Sequence, residues 1–146
     1  MSDKPRHPVD VLLILTRGEQ LLLGLRQGTG YADGWWNLPS GKLESGEDAV
    51  SAVAREAREE IGIRVAEARA VATVHHRSAG QAGRIGLVFA VEYRPAAHGA
   101  AVNAEPHKCG RIGWFGVREL PERTYPYSVA CVRAYLAGEG FALSGW

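Results

Sequence analysis

Three glutamates stand close together on the polar side of a predicted helix. Glu56, Glu59 and Glu60 occupy positions i, i+3 and i+4, so their side chains are neighbours on a helical surface. Like charges at this spacing repel, and Arg55 and Arg58 are the only near cations in the sequence. A divalent cation would remove the repulsion. Mg²⁺ prefers oxygen ligands and commonly joins carboxylates to substrate phosphates, so the cluster favours a magnesium site, with Mn²⁺ as the alternative ion.

Helical spacing alone is also compatible with an ordinary solvated surface, which is the commoner reason for a glutamate-rich helix. Zinc is disfavoured, since the five histidines show no ligand spacing relative to the cluster. The longer string GKLESGEDAVSAVAREAREEIGI, residues 41–63, separates the two interpretations. It resembles the Nudix box, GX5EX7REUXEEXGU with U a bulky aliphatic residue. Every fixed position matches, although Ala57 stands where a larger aliphatic residue is usual and Ser40, just before the string, where glycine or alanine is commoner.

The resemblance to the Nudix family implies a set of metal ligands. They are the carboxylates of Glu56, Glu59 and Glu60 together with the carbonyl oxygen of Gly41. The preceding sequence TGYADGWWNLPSGKLESGE also resembles the family's approach to the box. We therefore expect the phosphates of a substrate to bind beside this helix.

The same resemblance implies catalytic roles. Family members activate a water for in-line attack on a phosphorus of a diphosphate linkage. Glu47 matches the glutamate that supports metal-bound waters, and Arg55 matches the arginine that holds a neighbouring carboxylate. The two candidates for the general base are Glu56, in the box, and Glu105, in the loop sequence NAEPHKC. Glu59 is the remaining residue of the implied catalytic group. For Glu105, an ordinary loop carboxylate is an equally weighted alternative.

Four further residues are candidates for substrate binding. Trp35 and Trp36 are adjacent, and adjacent strand residues face opposite ways, so one ring can pack in the core while the other faces a cleft and stacks on a base. Two core or rim tryptophans are the alternative. Arg26 and Arg84 stand at the ends of predicted strands, where they either meet phosphates through paired hydrogen bonds or remain solvated.

The segment EPHKCGRIGWFGVRELP, residues 105–121, resembles a stretch of Nudix enzymes that act on nucleotides. It favours a nucleoside triphosphate, cleaved to the monophosphate and pyrophosphate, with ADP-ribose or a nucleotide sugar as the alternative substrate. Tyr125 and Tyr127 follow, and their rings either border a base pocket or pack in the core. A non-catalytic nucleotide-sensing module is the alternative of another class, and the intact glutamate set argues against it.

The segments around the box alternate between strand and helix patterns. Apolar runs predict strands at 9–16, 20–26, 35–38, 65–74, 84–94 and 112–117. Helical periodicity predicts helices at 48–61 and 128–137. Glycine-rich or polar segments predict loops at 27–34, 78–83 and 95–108. This order indicates a mixed sheet with helices packed on it, and the resemblance implies a Nudix-type α/β/α sandwich with a catalytic loop-helix-loop, as a single domain over 1–146.

Composition and charge limit the partners of the chain. The net charge of +1 gives no overall field for long nucleic acid or an anionic membrane, so we expect a small nucleotide as the partner. No apolar run reaches a membrane-spanning length and MSDKPRHPVD lacks the apolar core of a secretion signal, which favours a cytoplasmic location. Cys109 and Cys131 are expected as unpaired thiols. Many relatives pair, so a homodimer is left open.

Overall fold

Strand β1 (Val9–Arg17) lies at the centre of the fold because it is apolar on both faces. The computed structural model describes residues 4–146, and in them β1 belongs to an eight-stranded mixed sheet. Val11, Leu13 and Leu15 pack on one face of the strand, while Leu12 and Ile14 pack on the other. Such burial on two faces requires a helical layer on each side of the sheet.

The sheet contains seven more strands, and three helices accompany them within the described residues. The strands are β2 (Gln20–Arg26), β3 (Trp36–Asn37), β4 (Ser40–Lys42), β5 (Arg69–His76), β6 (Arg84–Glu92), β7 (Cys109–Gly116) and β8 (Phe141–Ser144). The helices are α1 (Ala49–Ile61), α2 (Pro95–His98) and α3 (Pro126–Ala137). The strand order is β3-β2-β1-β6-β5-β8, with β4 paired to β1 and β7 paired to β2. The β1–β6 and β5–β8 pairs are parallel, and the other pairs are antiparallel.

Helices α1 and α3 cover opposite faces of this sheet. Val53, Ala57 and Ile61 of α1 pack against the face of β1 that carries Leu13. Cys131 and Val132 of α3 pack against the opposite face. The predicted α/β/α sandwich with a mixed sheet is therefore confirmed.

The β1–β2 hairpin opens toward the site. The two strands pair with each other only beside their turn, at Thr16–Leu21 and Arg17–Gln20. Farther along, β4 pairs with β1 and β3 pairs with β2. The segment 36–42 is thus held between the separated strands, and it leads into α1.

Helix α1 begins and ends where its sequence predicts. The Asp48 side chain caps the amino end by accepting a hydrogen bond from the Ser51 backbone N–H at 2.8 Å. Gly62 ends the helix with a left-handed φ of 68°, and its N–H donates to the Arg58 carbonyl. The face that carries the glutamates is therefore set by local signals.

Several predicted boundaries were wrong. The strand predicted at 65–74 begins only at Arg69, because Val65 is buried in the α1-side core outside any strand ladder and the Arg64 N–H donates to the His98 carbonyl of α2 instead. The predicted loop 95–108 contains α2, which starts at a proline. Strands β4 and β8 were not predicted, since both are short and their ladder partners lie far away in sequence.

None of the helices within residues 4–146 combines the length and the apolar character needed to cross a membrane. Residues 1–3, which belong to the segment considered as a secretion signal, lie outside the described residues. Cys109 and Cys131 are both free thiols, as expected.

Candidate active site

Strand β4 brings Gly41 against the polar side of α1. A side chain at position 41 would collide with the Glu56 carboxylate and displace it from the position that Arg55 holds, so glycine permits this close approach. The box therefore folds back on itself, with its first residue next to a glutamate from the middle of the helix.

Arg55 forms short ion pairs with three glutamates of the box and a looser one with a fourth, Glu44, at 3.8 Å. Its Nε lies 2.7 Å from Glu47 Oε2, and its Nη1 lies 2.7 Å from Glu56 Oε1 and 3.3 Å from Glu59 Oε2. Its Nη2 also donates to the carbonyl of Lys42 at 3.2 Å. These partners raise the pKa of Arg55, and the hydrogen bond from Arg55 lowers the pKa of Glu47. Arg55 therefore fixes the geometry of the acidic surface.

Glu60 differs from the other box glutamates because it has no ion pair within residues 4–146. Its Oε2 accepts a hydrogen bond from the Ser40 N–H at 2.9 Å. Burial raises the pKa of Glu60 well above its usual range, and the charges of Glu56 and Glu105 raise it further. Burial also raises the pKa of Glu56. The surroundings of Glu60 therefore carry more negative charge than the nearby cationic side chains neutralise.

The donor set fits a hard divalent cation. Within residues 4–146, no three Asp, Glu, His or Cys side chains form a ready-made metal-holding group. Arg55 provides a physical reason, because its own ion pairs occupy Glu56 and Glu59. Mg²⁺ commonly uses only one or two carboxylates and completes its shell with waters and substrate phosphates. A buried carboxylate such as Glu60, crowded by like charges, is a group that such a cation stabilises.

Glu105 reaches this site from the loop before β7. It lines, together with Glu60, a cavity of about 90 Å³ between β2, β7 and the end of α1. Lys108 lies 3.9 Å from its carboxylate, a distance at which the ion pair is loose. The fold thus brings Glu105 beside Glu60 of the acidic cluster, while its role as a base stays a prediction.

A larger cleft of about 410 Å³ lies beside the cavity. The two share Arg26, Asn37 and Ser40. Gly41 borders the cleft near α1, and Arg84 borders it near α3. Both arginines that the sequence singled out for substrate binding, Arg26 and Arg84, therefore line one cleft.

The two tryptophans have different surroundings, and only Trp36 lies in a strand. Trp36 is only 8% exposed and packs edge-on against Phe115, with ring centroids 4.8 Å apart. The ring of Trp35 lies beside Tyr125, and the guanidinium of Arg123 stands 4.7 Å from its centroid. Neither tryptophan is among the residues that line the cleft.

Sequence reasoning missed Asp10, which forms the floor of the cleft. Arg84 donates to it through Nε and Nη2, both at 2.8 Å, and the Tyr127 hydroxyl donates to it at 2.9 Å. The Asp10 hydrogen bonds raise the pKa of Arg84. One signal was available in the sequence, namely a carboxylate inside an apolar strand.

Fold and site together define a Nudix hydrolase. The family model of the NUDIX domain matches residues 5–134, and the chain belongs to this family. It is 26% identical to a MutT NUDIX hydrolase from Burkholderia pseudomallei, whose crystal structure gives a TM-score of 0.79 over 89% of this chain and 98% of that one. A UDP-X diphosphatase structure shares the fold alone, with a TM-score of 0.70 and 19% identity over 97% of this chain and 69% of that one.

The curated relatives are longer than the part of them that this chain matches. The chain is 28% identical to the NAD-capped RNA hydrolase NudC of Stutzerimonas stutzeri (strain A1501), over 91% of this chain and 46% of that protein. It is 33% identical to the 8-oxo-dGTP diphosphatase of Proteus vulgaris, over 52% of this chain and 68% of that protein. The chain thus spans about half the length of the first of these relatives.

Proposed function

We propose that this Nudix hydrolase cleaves a phosphoric anhydride bond in a nucleoside diphosphate-linked small molecule, with Mg²⁺ as cofactor and Mn²⁺ as the alternative ion. The leading reaction converts a nucleoside triphosphate to a monophosphate and pyrophosphate. One observation carries the proposal: Glu60 is a partly buried carboxylate without an ion pair in residues 4–146, it lines the same cavity as Glu105, and the negative charges of Glu56 and Glu105 raise its pKa further. The relatives named for NAD-capped RNA and 8-oxo-dGTP support a nucleotide substrate.

The metal would be held by the carboxylates of Glu56, Glu59 and Glu60 and by the carbonyl oxygen of Gly41. Bound there, it would neutralise charge on the transferring phosphoryl group and lower the pKa of a bound water. Oxygen donors with this excess of negative charge favour Mg²⁺ over softer metals.

The residues of the chain then perform the positioning that phosphoryl transfer mainly requires. Arg55 keeps Glu47, Glu56 and Glu59 in fixed orientations through its ion pairs. Glu56 or Glu105 would take the proton from the attacking water. Glu105 is the less constrained candidate, because its cationic neighbour is 3.9 Å away whereas Arg55 contacts Glu56 at 2.7 Å.

The cleft suggests how the substrate lies. Phosphates would occupy the end beside Gly41, with Arg26 as a counter-charge, and the nucleoside would extend toward Tyr125 and Tyr127. ADP-ribose or a nucleotide sugar is the alternative substrate. We also infer that residues 1–146 act as a single hydrolase domain, because both helical layers pack on one sheet.

A product-resolved assay tests the proposed reaction. Nucleoside triphosphates, ADP-ribose and nucleotide sugars are incubated with the protein and Mg²⁺, and products are separated chromatographically. Monophosphate with pyrophosphate supports the leading reaction, and activity should disappear with EDTA and return with Mg²⁺ or Mn²⁺. Cleavage of ADP-ribose or nucleotide sugars alone supports the alternative substrate. Tight nucleotide binding without product would contradict the proposal and favour a nucleotide-sensing module.

Glu60→Gln tests the ligand assignment. We expect kcat/KM to fall about 10³-fold, roughly 4 kcal/mol, because the substitution removes a charge that the metal requires. Without metal, the unfolding midpoint of Glu60→Gln should not fall, because the substitution removes a carboxylate charge that burial and neighbouring negative charges disfavour. Glu139→Gln, at an exposed position beyond α3, is the matched control. Wild-type turnover in Glu60→Gln would refute the assignment.

A further inference from the structure

We propose that Arg84 selects the nucleobase, and that the cleft prefers a 6-oxopurine nucleotide, of the guanosine or inosine type, over an adenosine nucleotide. This inference rests on the proposed function, since it names the substrate class of the same site. The sequence suggested Arg84 as a phosphate contact. The geometry points to a different use of its guanidinium group.

Asp10 fixes the orientation of Arg84 and leaves part of its donor set free. A guanidinium group carries five N–H donors in a rigid plane. The bonds to Asp10 use the Nε edge, through Nε and Nη2. Within residues 4–146 the Nη1 group makes no protein hydrogen bond, and the Arg84 side chain is 33% exposed where it lines the cleft. The Nη1–Nη2 edge is therefore available to a ligand that accepts two hydrogen bonds.

The charge of this arrangement favours a neutral ligand group over a phosphate. Asp10 is 6% exposed and balances the guanidinium at 2.8 Å, so the pair exerts little net attraction on an anion. Arg26 and Lys42 also line the cleft, and no carboxylate forms an ion pair with either within residues 4–146. Arg26 stands 5.7 Å from the centroid of the Tyr31 ring, whereas Lys42 directly follows Gly41. Phosphates would bind beside Gly41 and Lys42, which leaves Arg84 to donate hydrogen bonds.

Aromatic side chains around Arg84 form the walls that a flat ring requires. Tyr31 is 56% exposed at the mouth of the cleft, and its hydroxyl is 2.5 Å from that of Tyr125. Tyr127 stacks on His76 with centroids 4.4 Å apart, which fixes the ring that borders Arg84. Aromatic rings held in this way offer surfaces for base stacking.

The free donor edge of Arg84 matches one kind of base. Guanine presents two acceptors, O6 and N7, that an arginine contacts with two parallel hydrogen bonds, and hypoxanthine presents the same pair. Adenine replaces O6 with an amino donor, which would face the Arg84 donors without an acceptor. Pyrimidines have no N7 and therefore lack this O6–N7 pair. The structure thus favours 6-oxopurines by the pattern of hydrogen bonds rather than by size.

The test compares GTP, ITP, ATP and 7-deaza-GTP as substrates of the wild-type protein with Mg²⁺. We expect kcat/KM for GTP and ITP to exceed that for ATP by about tenfold or more, and 7-deaza-GTP, which lacks N7, to lose most of this advantage. Equal rates for GTP, ATP and 7-deaza-GTP would overturn the inference. This comparison uses only the wild-type protein, so it tests the preference for 6-oxopurines even if a substitution at Arg84 prevents folding.

Arg84→Gln supplies the second arm, with Arg133→Gln on the exposed side of α3 as control. In Arg84→Gln, the preference for GTP over ATP should fall to within about twofold, mainly through the GTP rate, whereas Arg133→Gln should keep it. If kcat/KM of Arg84→Gln falls equally for all four nucleotides, Arg84 contacts the phosphates or the ribose rather than the base, and the inference is overturned. Failure of the wild-type protein to hydrolyse any nucleoside triphosphate would instead contradict the leading reaction of the proposed function.

Discussion

Arg55 and Arg84 both hold carboxylates in this protein, but the two clusters differ in charge. Arg55 pairs closely with Glu47, Glu56 and Glu59 and more loosely with Glu44, so one cation faces four anions. Within residues 4–146, Arg84 pairs with Asp10 alone, and the Tyr127 hydroxyl also donates to that carboxylate. The first cluster keeps an excess of negative charge, whereas the second is balanced.

The difference indicates what each cluster can bind. Excess carboxylates attract a cation and, through it, phosphates. A balanced pair keeps its hydrogen-bond donors but has little net field, so it can recognise an uncharged edge. Under the two proposals, one arginine positions metal ligands beside the cleft and the other recognises a base within it. Three predictions test this contrast.

Arg55→Met should have the largest effect. Without the guanidinium, Glu47, Glu56 and Glu59 repel one another and lose their orientation, so we expect kcat/KM to fall about 10²-fold, roughly 2.7 kcal/mol. Steady-state kinetics at saturating Mg²⁺ measures this. Arg58→Met is the control, because Arg58 is exposed on the same helix. Equal losses in the two variants would mean that Arg55 has no special positioning role.

Asp10→Asn should act on stability. The substitution leaves the Arg84 charge without its partner, and we expect a loss of about 2 kcal/mol in the free energy of unfolding, below the roughly 3–5 kcal/mol of a fully buried pair. The reason for the smaller value is the 33% exposure of the Arg84 side chain. Urea denaturation measures the loss.

Asp48→Asn is the matched control for Asp10→Asn. Asparagine caps a helix about as well as aspartate, so stability should change by less than about 0.5 kcal/mol. If both variants unfold at the same urea concentration as the wild type, the Asp10–Arg84 pair contributes nothing to the fold and the contrast between the clusters is weakened.

Glu105→Gln should have the smallest effect. If Glu105 takes the proton from the attacking water, kcat should fall about tenfold or more. Glu122→Gln, in an exposed loop, is its control. A change below about threefold would return Glu105 to the class of ordinary loop carboxylates and leave Glu56 as the base.

Local signals made the box helix predictable. Its apolar stripe, the Asp48 cap and the stop at Gly62 all lie within one stretch of sequence, and they orient Glu56 and Glu60 without reference to the remainder of the chain. Strand β4 was not predictable in this way, because its hydrogen bonds go to β1, about thirty residues earlier. Short strands are stabilised by such partners rather than by their own residues.

The sequence by itself determined the acidic surface of α1 and the two-faced burial of β1, since helical and strand periodicity act over a few neighbouring residues. Only the tertiary structure decided which groups meet across the cleft. Asp10, Arg84 and Tyr127 come from β1, β6 and α3, and Glu105 joins Glu60 from a separate loop. Such contacts depend on sheet order and on the packing of α3, which no local pattern encodes.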